Sequence, residues 1–161
     1  MDFKKIVPIL LLLIIISFTT WYYKSFKTIP ILPAYENSFI NEQGQPIQLS
    51  DLKGSYVLIS YFQTWCGNCI QELRSIDALQ TIVGKDKLKV LMVSDENFEK
   101  INRFKEQHCN TLNYFQTNKP LNELSIRIFP TTYLLDKNGI VVMSKLNEFN
   151  WSSEEVLHII K

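Results

Sequence analysis

Hydrophobic positions follow two patterns along this chain: one continuous run at the amino terminus, and periodic runs in the remainder. From Ile6 to Tyr23 there are 18 residues without a charge, about 27 Å of helix at roughly 1.5 Å per residue. Trp21 and Tyr22 lie near its end, where aromatic residues face a membrane interface. We therefore predict that residues 1–27 form an uncleaved signal anchor with one transmembrane helix. The alternative is a cleaved secretory signal, although no small-x-small cleavage site follows the run.

The residues after this run divide into a linker and a domain. Residues 28–35 contain Pro30 and Pro33, and we predict a short, stiff linker there. Residues 36–161 are long enough for one domain of ordinary size. Two lysines precede the uncharged run and two follow it, so the positive-inside rule barely distinguishes its two orientations.

Apolar residues in the domain alternate between strand-like and helix-like spacing. Tyr56 to Phe62 and Leu88 to Ser94 are nearly continuous apolar runs, typical of buried central strands. Between them, apolar residues recur at helical spacing from Ile70 to Val83 and end at Gly84. In chain order, the pattern predicts a hairpin at 36–49, a strand at 56–62, a helix at 70–83, a strand at 88–94, a helix from about 95, a short strand at 112–115, a helix at 120–125, strands at 131–135 and 140–143, and a helix at 153–160.

Two local signals define the end of the domain. Asn138-Gly139, between the last two strands, is the strongest short signal for a β-hairpin. Ser152 with Glu155 matches a capping box at the start of the last helix. Strand–helix–strand units followed by a hairpin and a helix indicate an α/β sandwich, in which helices flank a mixed central sheet. The hairpin at 36–49 is an extra amino-terminal element.

Composition excludes several classes of function. Hydrophobic residues make up 46% of the chain and charged residues 20%, as in ordinary globular proteins, and the net charge is +1. A nearly neutral chain gives no electrostatic case for nucleic-acid binding. The three cysteines are too few for a disulfide-stapled miniprotein, so their positions decide their role.

Two cysteines form a C-x-x-C motif within Trp65–Cys69, between a predicted buried strand and an amphipathic helix. A cysteine at a helix amino terminus faces unpaired backbone N–H groups and the positive end of the helix dipole, which stabilise the thiolate. We therefore predict that Cys66 attacks a substrate disulfide. Cys69, one turn inside the helix, would resolve the mixed disulfide by forming a Cys66–Cys69 disulfide. Trp65 would shield the two sulfurs on one side.

A static structural disulfide and half of a zinc site are the alternatives for this pair. A structural zinc site needs two more ligands, and only His108, Cys109 and His158 remain, at poor spacing. We therefore expect no metal and no cofactor. At Cys109 we expect a buried or half-buried free thiol. A regulatory or intermolecular bridge is the alternative for that residue.

These motifs resemble the thioredoxin fold, specifically the membrane-anchored TlpA/ResA-like thioredoxins. The resemblance covers residues 36–161 and rests on Ile47–Gly54, Thr64–Cys69, Glu72 and Phe129–Gly139. It implies a thioredoxin-like sandwich and the activity of a thiol–disulfide oxidoreductase.

Pro130 matches the cis-proline that faces the redox disulfide in this family. A proline just before a strand cannot donate to the sheet ladder and belongs at an edge or a turn. A cis bond there would leave the backbone of Phe129 free to pair with an incoming peptide. The resemblance thus implies that Trp65, Phe129, Pro130 and Thr131 bind substrate. An ordinary trans turn proline is the alternative.

Glu72 matches the acidic residue that these proteins carry three positions after the second cysteine. Cys69 and Glu72 lie on one face of a helix, so the carboxylate would take the proton from Cys69 during resolution. The alternative is a solvated first-turn glutamate that the helix dipole favours. Thioredoxin has a buried aspartate in the preceding strand instead, and Ser60, which stands at that position here, cannot act as the base.

Two features depart from the family pattern. Arg74 stands where the family often has proline, so the usual helix kink would be absent. Gly67 and Asn68 separate the cysteines and lack the histidine of strong oxidants. We therefore expect a reducing or intermediate redox poise.

The resemblance also implies a location and partners. We expect a monomer in the bacterial cell envelope, anchored in the inner membrane through residues 6–23, with its domain on the extracytoplasmic side. Its partners would be disulfide- or thiol-bearing exported proteins and an upstream electron donor. Cytochrome c biogenesis, envelope disulfide reduction and thiol repair all stay open as its process.

Two other families of related fold fit the motifs less well. The alternative function is a Sco-like copper-binding chaperone, but that branch uses C-x-x-x-C and a distant histidine, and no histidine stands in the loop before Pro130. A peroxiredoxin motif would need proline at Ile59 and threonine at Gln63.

Overall fold

The structure is a computed structural model that describes residues 3–26, 32 and 39–160, and in the first helix the side chains of residues 8–22. That helix, α1, spans Phe3–Phe26. The apolar side chains from Ile9 to Ile16 are each at least 52% exposed. Within the described ranges, no helix combines the length and the apolar character needed to cross a membrane. The anchor at 1–27 therefore stays a prediction, and most of the linker at 28–35 lies outside the described residues.

Seven strands lie in the described part of the domain. They are β1 (Phe39–Ile40), β2 (Pro46–Ile47), β3 (Tyr56–Tyr61), β4 (Leu88–Ser94), β5 (Asn113–Thr117), β6 (Thr131–Leu135) and β7 (Val141–Leu146). In the described part of the chain, a 3-10 helix at Leu49–Leu52 precedes β3, and three α-helices follow it: α2 (Gly67–Val83), α3 (Phe98–His108) and α4 (Glu154–Ile159).

The strands form one mixed sheet in the order β2-β1-β5-β4-β3-β6-β7. The central strand β4 runs parallel to β3 and β5, while β6 and β7 are antiparallel additions beyond β3. The predicted amino-terminal hairpin is β1–β2, which joins the sheet through β5. The predicted mixed sheet with flanking helices is confirmed.

Each face of the sheet carries its own hydrophobic core, because β3 and β4 are buried on both sides. Leu58 and Phe62 point to the face on which α2, α3 and α4 pack. Ile59 and Tyr61 point to the opposite face, which the segment from Leu121 to Ile126 covers. Leu32, inside the predicted linker, is buried in this second core.

Two local predictions were wrong. Residues 120–125 form hydrogen-bonded turns rather than a helix, and Ser125 has φ 62°, which ends any helical progression. Ser153, not Ser152, is the N-cap of α4, and no side-chain capping bond forms there. Ser152 Oγ donates instead to Asn150 Oδ1 at 2.8 Å, which satisfies its hydroxyl outside the helix.

The predicted hairpin between β6 and β7 is confirmed. The Asp136 carboxylate accepts the backbone N–H groups of Asn138 and Ile140 at 2.9 and 2.8 Å, and Gly139 supplies the positive φ of 83° that the turn needs.

The sheet register determines where the chemistry lies. Tyr61, the last residue of β3, pairs with Thr131, the first residue of β6. The chain after β3, which leads into α2, and the chain before β6 therefore meet at the same end of these two strands.

Candidate active site

Cys66 is the N-cap residue of α2, and it forms a disulfide with Cys69 across a Cα–Cα distance of 5.3 Å. The Sγ atom of Cys66 accepts the backbone N–H of Cys69 at 3.2 Å. A donor of this kind stabilises a thiolate. Cys66 is 6% exposed and Cys69 1%, so Cys66 is the more accessible of the two residues.

Two aromatic rings form the mouth of the site, which we define as Trp65 and Phe129. Trp65 is 72% exposed, and its ring meets that of Phe129 edge-on at a centroid distance of 6.0 Å. The Phe129–Pro130 peptide bond is cis, and the Pro130 carbonyl accepts the backbone N–H of Asn147 at 2.8 Å. Thr131 Oγ1 donates to the Ile128 carbonyl at 2.6 Å. The structure thus places the predicted substrate-binding residues at the end of β3 and β6 from which the chain continues to Cys66.

Glu72 lies in the protein interior, 1% exposed, and not on the solvated side of α2. Its Oε2 atom accepts hydrogen bonds from the hydroxyls of Thr132 and Ser60 at 3.0 and 3.2 Å. Its Oε1 atom accepts the indole N–H of Trp151 at 2.7 Å. We call these four residues, Glu72, Ser60, Thr132 and Trp151, the carboxylate cluster.

Burial dominates the proton affinity of this carboxylate. Desolvation raises the pKa of Glu72 from 4.5 to about 7, although the hydrogen bonds from Trp151, Thr132 and Ser60, and one from the Phe149 backbone, oppose the rise. A carboxyl group that titrates near neutral pH can both accept and release a proton there.

Comparisons with known proteins agree with this geometry. Residues 31–144 match the model of the AhpC/TSA family. The chain belongs to this family. It is 30% identical to the thioredoxin-like protein YneN of Bacillus subtilis over 149 residues, which cover 86% of this chain and 87% of YneN. It is also 30% identical to the thiol–disulfide oxidoreductase ResA of Geobacillus kaustophilus over 102 residues, which cover 62% of this chain and 59% of ResA.

Solved structures of thiol–disulfide proteins share the fold. One is the thioredoxin domain of a thiol–disulfide oxidoreductase from Bacteroides vulgatus, with a TM-score of 0.69 and 22% identity over 83% of this chain and 98% of that one. Another is a thiol:disulfide interchange protein, DsbE, from Chlorobium tepidum, with a TM-score of 0.68 and 19% identity over 83% and 96%. This member of the AhpC/TSA family thus has the thioredoxin-like fold of these thiol–disulfide proteins.

The sequence did not reveal the contacts that hold the loop before Cys66. The Glu96 carboxylate accepts the backbone N–H of Thr64 at 2.6 Å and its hydroxyl at 3.0 Å. Asp95 accepts the side-chain amide of Gln63 at 2.6 Å. From the sequence, the acidic pair that follows β4 stands only where a helix is predicted to begin, at about residue 95. Asn97, the next residue, does cap α3 by accepting the Lys100 N–H.

Cys109 is a half-buried free thiol, as predicted, and its Sγ lies 3.2 Å from Thr111 Oγ1. Across the described parts of the chain, no three His, Cys, Asp or Glu residues come close enough together to hold a metal ion.

Proposed function

We propose that this enzyme exchanges disulfides through Cys66, with Cys69 as the resolving thiol. The observation that carries the proposal is the Cys66 Sγ atom at the N-cap of α2, where it accepts a backbone N–H and is joined to Cys69. A helix amino terminus favours the thiolate, which is the attacking species in disulfide exchange.

The reaction has two steps that balance in sulfur and electrons. In the reduced enzyme, the Cys66 thiolate attacks one sulfur of the substrate disulfide, forms a mixed disulfide and releases the other sulfur as a thiolate. Cys69 then loses its proton and attacks Cys66 Sγ, which closes the Cys66–Cys69 disulfide and releases the second substrate thiolate. The substrate gains two electrons, and an upstream dithiol donor then supplies two electrons that reduce the Cys66–Cys69 disulfide.

We propose Glu72 as the proton acceptor for Cys69. The two residues lie one turn apart on the buried face of α2. With a pKa of about 7, the carboxyl group is close to half-charged at neutral pH. It can therefore take the Cys69 proton in one step and give it up in the reverse reaction.

The substrate would bind at the mouth, with Pro130 and Thr131 beneath it. Trp65 projects into solvent beside the phenyl ring of Phe129, and exposed aromatic rings are frequent anchors for a partner chain. A peptide that crosses this surface would present its disulfide to Cys66.

We also propose that the enzyme is tethered to the bacterial inner membrane and works on exported proteins on the extracytoplasmic side. The support is the uncharged stretch from Ile6 to Tyr23 and the exposure of the apolar side chains of α1, which water would disfavour. If so, the full chain should sediment with membranes and resist carbonate extraction, and a chain without residues 1–27 should not. Carbonate release of the full chain would refute the tether.

The exchange chemistry is tested with single cysteine variants of the full chain. Reduction of a disulfide-bonded model protein should fall to the uncatalysed rate in both Cys66→Ser and Cys69→Ser. Cys109→Ser is the matched control and should keep the wild-type rate. Full turnover by Cys66→Ser would rule out the proposed nucleophile.

A further inference from the structure

The segment Phe149–Trp151, which follows β7, is bonded to two successive turns of α2. The indole N–H of Trp151 donates to Glu72 Oε1 at 2.7 Å, and the backbone N–H of Trp151 donates to Ser75 Oγ at 3.2 Å. Ser75 Oγ in turn lies 3.1 Å from the Phe149 carbonyl oxygen. Trp151 is fully buried and packs in the same core as Cys66 and Cys69. Trp151 is therefore held by hydrogen bonds from both its indole ring and its backbone.

The three side chains that contact Glu72 differ in whether they can form a hydrogen bond with its charged form only or with both its charged and its neutral form. The hydroxyls of Ser60 and Thr132 donate to a carboxylate, and each can rotate to accept from a carboxylic acid. An indole N–H only donates. The Trp151 contact thus favours the charged form, whereas the hydroxyl contacts serve both forms. Among the hydrogen bonds that lower the pKa of Glu72, that of Trp151 has the largest effect.

We propose that Trp151 is a positioning residue for the redox reaction: it holds Glu72 Oε1 as an acceptor and leaves Oε2, between Ser60 and Thr132, to take the proton. This inference rests on the proposed role of Glu72 and adds which oxygen carries the proton and which residue makes the choice. An apolar residue at 151 would remove the donor-only indole from Glu72 and raise the proton affinity of the carboxyl group.

Few other groups that face Glu72 could change the proton affinity of its carboxyl group. The side chains from β3 and β6 are the hydroxyls of Ser60 and Thr132, and the segment after β7 contributes the indole of Trp151 and the backbone of Phe149. None of these is charged. On α2 itself, the titratable residues besides Glu72 are Cys69, which does not titrate as a disulfide, Arg74 and Asp77.

The test uses the oxidised full chain with ¹⁵N-labelled tryptophan, and follows the indole N–H resonances between pH 5 and 9. The Trp151 resonance should shift with a midpoint near 7, and the shift should vanish in Glu72→Gln. That control also separates Glu72 from His158, the histidine of α4. Trp21, on α1, should show no such midpoint. If the pH-dependent shift of the Trp151 resonance persists in folded Glu72→Gln, the inference is wrong.

A second measurement reads the carboxyl group itself. In Trp151→Phe, the infrared band of the protonated Glu72 carboxyl, assigned by its loss in Glu72→Gln, should persist to a pH about one unit higher. Trp21→Phe is the matched control and should leave the band unchanged. An unshifted band in a folded Trp151→Phe would refute the positioning role. If the band shifts but Glu72→Gln exchanges disulfides at the wild-type rate, the positioning role stands and the proposed proton acceptor fails.

Discussion

The mouth and the carboxylate cluster include residues just before and just after the Cys66–Cys69 disulfide in the chain, and they differ in almost every physical respect. Trp65 in the mouth is 72% exposed and makes a ring contact with Phe129, whereas Glu72 in the cluster is 1% exposed and accepts three side-chain hydrogen bonds. An exposed aromatic surface can change without loss of core packing. A buried carboxylate cannot, because each of its contacts affects both stability and proton affinity. The mouth is therefore suited to partner choice, and the cluster to chemistry that every substrate shares.

The largest effect should come from the cluster. Glu72→Gln keeps the shape of the side chain and one acceptor oxygen but removes its proton exchange. At neutral pH, resolution of the mixed disulfide should slow by roughly a hundredfold. In the wild type this step should accelerate as pH rises through about 7, because the carboxylate is the accepting form. Stopped-flow measurement across pH 5 to 9 checks both points, and a wild-type acceleration that persists in Glu72→Gln would assign it to another group.

The same residue should leave a signature in stability. The pKa of Glu72 is raised in the folded state, from 4.5 to about 7, so the folded protein binds this proton more tightly than the unfolded chain. Its contribution is complete below pH 4.5 and is lost as pH rises to about 7, by roughly 3 kcal/mol. Urea unfolding of the oxidised protein should show this loss, and Glu72→Gln should flatten it. Glu99→Gln, an exposed i,i+4 partner of Arg103, should leave the pH dependence as it is.

The smallest effect should come from the mouth. Trp65→Ala should raise KM for a disulfide-bonded protein by about fivefold, the value of one aromatic contact, and leave kcat and the unfolding free energy nearly unchanged. Ile82→Ala, exposed at the far end of α2, is the control and should change neither. A large fall in kcat in Trp65→Ala would show that the mouth shares in the chemistry and would weaken the comparison.

The mouth was largely predictable from sequence, and the cluster was not. Trp65, the cysteines and Pro130 stand in local motifs whose spacing is visible along the chain, as are the Asn138-Gly139 hairpin and the two central strands. The partner of Glu72, by contrast, is Trp151, 79 residues away. No local period links two side chains that meet only when β7 returns the chain to α2. The sequence therefore indicated a carboxylate near Cys69 but not what surrounds it.

The failed local predictions have a similar cause. Residues 120–125 begin with a proline, a usual helix start, yet Leu121, Leu124 and Ile126 are all buried against one face of the sheet. That packing is reached by turns and a positive φ at Ser125. Tertiary contacts outweighed a local signal of only six residues, which is too short to form a stable helix alone.

Mass spectrometry of trapped intermediates can show whether exchange begins at Cys66 and is completed by Cys69. Reduced Cys69→Ser and Cys66→Ser, each in the full chain, are mixed with a disulfide-bonded protein, quenched with acid and digested. We expect a mixed disulfide at Cys66 in Cys69→Ser, and little or none at Cys69 in Cys66→Ser because Cys69 is the more buried residue. Equal trapping by both variants, or trapping through Cys109, would contradict it.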